Sequence, residues 1–272
     1  MHEIILFVIS IGAGFLGAIL GVGGGLIVVP ALTLFFHVDI RYAIAASLIS
    51  IIATSSGAAA SFLKDHLTNV KVAIFLEVGT VFGAITGFLI ASYVQSSVLY
   101  FIFSGFLIFS IVMTARKRES TEATADHPWS QKLGLAGSYK DTDGIYKHYE
   151  IANVRWGLFF MYFAGILSAL LGIGSGILKV LAMDGAMKLP IKVSLATSNF
   201  MIGVTAAASA GAFLIRGDIR PEIAGPVALG IIFGSWFGAR AMVKMNPVII
   251  RRIFIVFLLV VSVQMIIKGF NQ

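Results

Sequence analysis

Two glycine clusters and one lysine carry the residue types and spacing that could do chemistry in this 272-residue chain. Gly21-Val22-Gly23-Gly24-Gly25 and Gly172-Ile173-Gly174-Ser175-Gly176 each sit inside a long apolar segment. Glycine weakens a helix and admits positive φ, so clusters this dense should interrupt one. A helix restarting at Leu26 or Ile177 presents free N–H groups and the positive end of its dipole, which together suit an anion. Ser175 adds a hydroxyl. The blander reading is close helix packing through small residues. Neither cluster is a Walker loop, since no Gly-Lys-Ser/Thr follows, nor a dinucleotide turn, since no strand precedes.

Lys179 follows Gly176 by three positions in an otherwise uncharged stretch. An intramembrane cation costs at least about 2.5 kcal/mol on insertion scales and is a functional hypothesis by default. Beside a helix start its charge adds to the dipole. The alternatives are snorkelling to an interface or pairing with Asp184. The helix after each cluster carries a polar seam: Ser47, Ser50, Thr54, Ser55 and Ser56, then Ser194, Thr197, Ser198, Asn199 and Thr205. Ser47 and Thr54 share a helix face, as do Ser198 and Thr205. Ser47, Ser198 and Asn199 could contact substrate oxygens or act as interhelical glue, and the rest reads as glue. Glu77 has two readings, a proton carrier or, more plainly, a residue near a membrane interface. The five histidines (His2, His37, His66, His127, His148) lie at ends or in loops without metal-ligand spacing, and no catalytic constellation or cofactor site is visible. No enzyme is expected.

The elements that must position these residues follow from composition. The chain is 58% hydrophobic and 12% charged, against about 25% charged for soluble domains. That excludes a soluble globular enzyme and a disordered chain. The absence of cysteine removes disulfides, thiolate catalysis and Cys-based metal sites. The start Met1-His2-Glu3 has no basic n-region, so no removable signal peptide is expected. Hydrophobic segments cover residues 4–36, 43–63, 78–115 (two spans, turning at Tyr93-Val94-Gln95-Ser96-Ser97), 156–178, 193–215, 223–239 and 253–267. Backbone in lipid must satisfy itself, so these are helices. The organisation read from them is a membrane unit over 1–115, a polar loop over 116–154, expected as a solvated tether, and a second membrane unit over 155–272.

The two units match without a gap at an offset of 151 residues: the glycine clusters superpose, as do Ser47 on Ser198, Thr54 on Thr205, and Gly79, Gly83, Gly87 on Gly230, Gly234, Gly238. Homologous halves are the usual build of a secondary transporter, with the site at their interface near the midplane. Lys179 maps onto Val28, so an anion site there is asymmetric. The glycines at spacing four read as packing. If all eight segments cross once, 12 basic residues fall on the side of the central loop and 7 on the other; if the first segment of each half enters and returns at its glycines, the split is 15 to 4. The positive-inside rule prefers the larger contrast. The first segment points the same way, because residues 26–36 reach only about 16 Å as a helix. The expectation is an all-α integral membrane protein of inverted repeats, its first segment in each half re-entrant and its central loop cytoplasmic. The net charge of +7 then reports topology rather than nucleic-acid binding.

At these residues the sequence resembles a known family. Gly21-Val22-Gly23-Gly24-Gly25-Leu26-Ile27-Val28-Val29-Pro30-Ala31-Leu32, then Ala45-Ala46-Ser47, is similar to the signature of the sulfite exporter TauE/SafE family. The second half repeats it through Gly172-Ile173-Gly174-Ser175-Gly176 and Ala196-Thr197-Ser198-Asn199. It departs at Ser175 and Leu181, where the family has glycine and proline. The resemblance implies a multi-pass protein of the bacterial inner membrane that exports sulfite, sulfoacetate or related organosulfonates. The site residues expected to bind substrate are Gly23, Gly24, Gly25, Gly174, Ser175, Gly176, Lys179, Ser47, Ser198 and Asn199. The expected partners are a small anion, the bilayer, a coupling proton and a second copy of the chain. The alternatives are a channel-like anion pore or a non-catalytic membrane subunit of a larger complex.

Overall fold

The computed structural model describes residues 2–20, 24–64, 67–115, 130, 132–140, 146–242 and 247–271. The first half forms α1 (His2–Leu20), α2 (Gly25–Phe35), α3 (Ile40–Lys64), α4 (Val70–Tyr93) and α5 (Ser96–Ala115). The second forms α6 (Val154–Leu171), α7 (Gly176–Val180), a π-helical turn over Leu181–Ala186, α8 (Ile191–Arg216), α9 (Pro221–Met242) and α10 (Pro247–Phe270). Four described helices are long and apolar enough to cross a membrane: α4, α5 over Ser96–Met113, α6 and α8. The protein is a multi-pass helical membrane protein. The exposed side of α4 carries Ile74, Val78, Phe82, Ile85 and Leu89, one stripe at helical spacing, and α9 shows Leu229, Ile232, Phe233, Trp236 and Phe237. Apolar side chains thus face outward, the reverse of a water-soluble domain, as a hydrocarbon solvent requires.

The inward sides are small. A β-carbon on Gly83 would strike the Tyr162 carbonyl, one on Gly79 would stand 3.1 Å from the Leu158 carbonyl oxygen, and one on Gly87 2.5 Å from that of Ile166. These contacts zip α4 onto α6. Across the bundle, Gly234 meets the Ile11 carbonyl and Gly230 that of Phe7, joining α9 to α1. Adding 151 to one partner and subtracting it from the other converts two of these contacts into their counterparts, Gly83–Tyr162 into Gly234–Ile11 and Gly79–Leu158 into Gly230–Phe7. The spacing-four glycines therefore do pack helices, as their sequence pattern indicates. α3 and α8 cross each other at the centre, and α5 packs on α10.

The helices on either side of each glycine cluster pack on each other. In the second half the Ala152 amide donates to the Met187 carbonyl (3.0 Å), and Asn153 Nδ2 to that of Ala186 (3.1 Å). The stretch between them leaves and returns to one level. In the first half a narrow cleft is lined by Leu6, Ile9, Ser10 and Ala13 of α1 and by Val28, Ala31 and Leu32 of α2. α2 thus runs back along α1.

The central segment holds more than the expected solvated tether. β1 (Gly137–Lys140) and β2 (Tyr146–Tyr149) pair antiparallel, Gly137 opposite Tyr149. Asn69, the N-cap of α4, accepts from the Val72 amide and donates through Nδ2 to Leu135 O and Tyr149 Oη, both at 2.9 Å, while its own amide donates to Thr197 Oγ1. Leu135 and Ile151 bury themselves against Val72, Leu76, Met183, Met187 and Met201. A polar composition hid this docking, because few apolar residues anchor it. His127 lies outside the described residues, and His148 is exposed on β2.

Gly83→Ala should destabilise the protein by about 1–3 kcal/mol, the usual scale of overpacking. Gly105→Ala on α5, with open space at its β-carbon position, should leave the melting temperature in detergent unchanged or slightly raised. Differential scanning fluorimetry of the two variants measures both.

Candidate functional site

The two chain breaks meet at the crossing of α3 and α8. Gly25 opens α2, and a β-carbon there would stand 2.6 Å from the Gly172 carbonyl oxygen. Gly24 caps the helix, its carbonyl accepting from the Ile27 and Val28 amides. A β-carbon on Gly24 would press Ile231 of α9 at 2.9 Å. Gly23, together with Gly21 and Val22, lies outside the described residues.

In the second break Gly172, Gly174 and Ser175 have φ of 65°, 68° and 50°. Glycine takes this left-handed conformation freely; serine there is strained. A β-carbon on Gly174 would lie 2.7 Å from Ile202 Cγ2, and one on Gly176 2.5 Å from Ile202 Cδ1. Ile51 touches the would-be β-carbons of both Gly25 and Gly174. Ser47-Ile51-Thr54 on α3 and Ser198-Ile202-Thr205 on α8 are repeat mates at i, i+4, i+7, so each helix turns one serine–isoleucine–threonine face to the breaks.

The serines hold the interrupted backbone. Ser47 Oγ lies 2.7 Å from both the Gly172 and the Ile44 carbonyl oxygens. Ser198 donates to the Gly176 carbonyl at 3.2 Å. Both partners belong to the second break, where interrupted backbone in an apolar interior needs hydrogen-bond partners. Asn199 donates to Leu195 O on its own helix. The hydroxyls of Ser175 and of Ser168, one turn before the break on α6, are buried without a hydrogen-bond partner.

Lys179 is fully buried. Its ammonium donates to Thr205 Oγ1, and Thr205 in turn donates to Glu77 Oε1. Glu77 Oε2 stands 3.6 Å from Lys179 Nζ and has no hydrogen-bond partner. The ion-pair partner of Lys179 is thus Glu77 on α4, in the other half, rather than Asp184. Glu77 itself is buried inside the bundle. Sequence reasoning singled out both residues and did not join them. The available signal was that each is a lone charge in an apolar segment, and lone buried charges require partners. The structure brings Gly25, Gly174, Gly176, Ser47 and Ser198 against the α3–α8 pair, with Ser175 between the two glycines; it sets Gly24 on Ile231 of α9 and Lys179 on Thr205 and Glu77, and leaves Asn199 bonded to its own turn.

Comparison with known proteins matches the sequence to a family. The model of the sulfite exporter TauE/SafE family matches residues 6–265. The chain belongs to that family. Similar proteins include the probable membrane transporter protein YunE of Bacillus subtilis, 29% identical over 99% of each chain. A second is the probable membrane transporter protein MJ0441 of Methanocaldococcus jannaschii, 25% identical over 89% of this chain and 87% of its own. A third is the probable membrane transporter protein YdhB of Bacillus subtilis, 25% identical over 91% and 92%. No solved structure gives a significant match. As a TauE/SafE member the protein is a membrane transporter.

Ser175→Gly should relieve left-handed strain and raise stability by up to about 1 kcal/mol, read as a higher melting temperature. The same change removes a buried unpartnered hydroxyl, so any anion it contacts should bind more weakly; anion-induced thermal shift in wild type and variant separates the two effects.

Proposed function

We propose that the protein is a secondary transporter of small sulfur oxyanions, sulfite or organosulfonates such as sulfoacetate, taken at the meeting point of the two chain breaks. The observation that carries this reading is the contact of Gly25 with the Gly172 carbonyl, together with a fully buried Lys179 on the short helix that follows the second break. The N–H groups of Gly25 and Leu26 lie at this point ahead of the first hydrogen bonds inside α2, whereas those of Ile27 and Val28 are given to the Gly24 carbonyl. The unpartnered Ser168 and Ser175 hydroxyls supply further donors. Lys179 supplies the charge, and a tetrahedral or trigonal oxyanion can take several such donors at once. Ser47 and Ser198 hold the second break open around the site. The family name supports sulfur oxyanions as the class.

The two halves act as inverted repeats. The reciprocal glycine contacts and the packing of the helices on either side of each glycine cluster support this. Both termini then lie opposite the central segment, which faces the cytoplasm with the larger share of Lys and Arg, in a bacterial inner membrane. Alternating access would rock one half against the other across the α4–α6 and α1–α9 seams.

Purified protein in liposomes tests the proposal. Lys179→Ala should cut sulfonate flux about tenfold or more, the scale of charge-assisted bonds worth about 1.5–3 kcal/mol. The single variant leaves Glu77 without its cation, so Lys179→Ala/Glu77→Gln, which removes both charges, is run beside it. Undiminished flux in the folded double variant, or unitary currents of channel size from wild type, would overturn the reading.

A further inference from the structure

Among the described residues, Glu77 and Lys179 are the charged residues that are buried, Lys179 fully and Glu77 with about 10% of its side chain exposed. They come from different halves, and Thr205 stands between them. The threonine hydroxyl has one proton. Its oxygen accepts from Lys179 and lies within hydrogen-bond distance of Glu77 Oε1 and, at 3.0 Å, of the Met201 carbonyl, while Glu77 Oε2 has no hydrogen-bond partner. With Nζ 3.6 Å from Oε2 the charges face each other beyond direct hydrogen-bond distance. The contact is neutral as a whole and loosely closed.

This inference rests on the anion site proposed above. While Lys179 answers Glu77, the site presents no net positive charge to an anion. An arriving anion must take over the ammonium. A carboxylate then left alone in the membrane interior is expensive and neutralises by taking a proton, for which Oε2 is the free position. We propose that the anion and a proton occupy the protein together: the anion replaces Glu77 as counter-ion of Lys179, and Glu77 binds the proton on Oε2. The proton comes from the same aqueous phase as the anion. Empty and loaded sites then carry the same charge, and a monovalent anion crosses without net charge movement.

The device exists once. The positions that correspond to Lys179, Thr205 and Glu77 in the other half are Val28, Thr54 and Ala228, so the hydroxyl recurs without either charge. One proton per anion follows. The other titratable groups on the surrounding elements are Lys71 at the start of α4, Arg155 at the start of α6 and Lys192 at the start of α8. Tyr162 of α6 directs its hydroxyl to Thr86. Asp184 on the π turn is engaged in a contact of its own.

The experiment uses the full protein in liposomes with methanesulfonate, whose charge stays fixed across the working pH, whereas sulfite exchanges a proton of its own. Internal pyranine reads proton entry, and a potassium–valinomycin clamp sets the voltage. Wild type should carry one proton with each anion, respond to a pH gradient and ignore the voltage. Glu77→Gln imitates the protonated acid: it should still carry the anion, lose proton entry and become voltage-driven. Glu77→Asp should restore proton entry. Anion flux without proton entry in wild type overturns this inference alone and leaves the anion site standing. Proton entry retained in Glu77→Gln does the same. Absence of flux for methanesulfonate, sulfite and sulfoacetate alike overturns the transport reading and this inference with it. Should Glu77→Gln fail to fold, the proton count and voltage response of wild type decide the matter.

Discussion

A helix cannot be broken in hydrocarbon unless something satisfies the backbone it exposes. This constraint organises the rest of the molecule. Ser47 and Ser198 reach the carbonyls of Gly172 and Gly176 at the second break from the two crossing helices. For those hydroxyls to reach, the helices must lie against the break itself, and Ile51 and Ile202 fill the space a side chain at Gly25, Gly174 or Gly176 would need. The outer helices are drawn in by the same demand. Their glycine seams let carbonyl meet α-carbon across α4–α6 and α1–α9, so the two halves clasp each other.

A polar interior built this way has few charges, and those it has must answer one another. Lys179 and Glu77 do so through Thr205. Removing one partner of such a buried pair costs about 3–5 kcal/mol, because it leaves a bare charge. The pair is therefore costly to open by itself and far less costly to open when an anion supplies the replacement. On the proposed mechanism, that difference would tie substrate arrival to a change at the interface of the halves.

Much of this was legible in the sequence, and the reasons differ by residue. Gly21–Gly25 and Gly172–Gly176 announced breaks because glycine density contradicts helix locally. Gly79, Gly83 and Gly87 announced a seam because spacing of four puts them on one face. The offset of 151 residues exposed both halves. The pairing of Lys179 with Glu77 was not legible, since it spans two halves and depends on how α4 lies against α8; the local partner Asp184 was the natural guess. The hairpin at Gly137–Tyr149 was hidden for another reason. Its docking rests on one asparagine, Asn69, and a few apolar residues, too little to lift a polar stretch above its composition. Asn199 reads as a ligand by type, yet its amide caps its own turn.

The central claim is that an anion sits where the breaks meet and takes Lys179 from Glu77. A crystal structure of the protein soaked with a bromine-labelled sulfonate addresses it most directly, since anomalous scattering locates the ligand independently of the protein density. The account predicts one bromine peak beside Gly25 and Ser175, the sulfonate oxygens within hydrogen-bond reach of Lys179, and Glu77 withdrawn from the ammonium. A peak elsewhere in the bundle, with Glu77, Thr205 and Lys179 still joined, would contradict it.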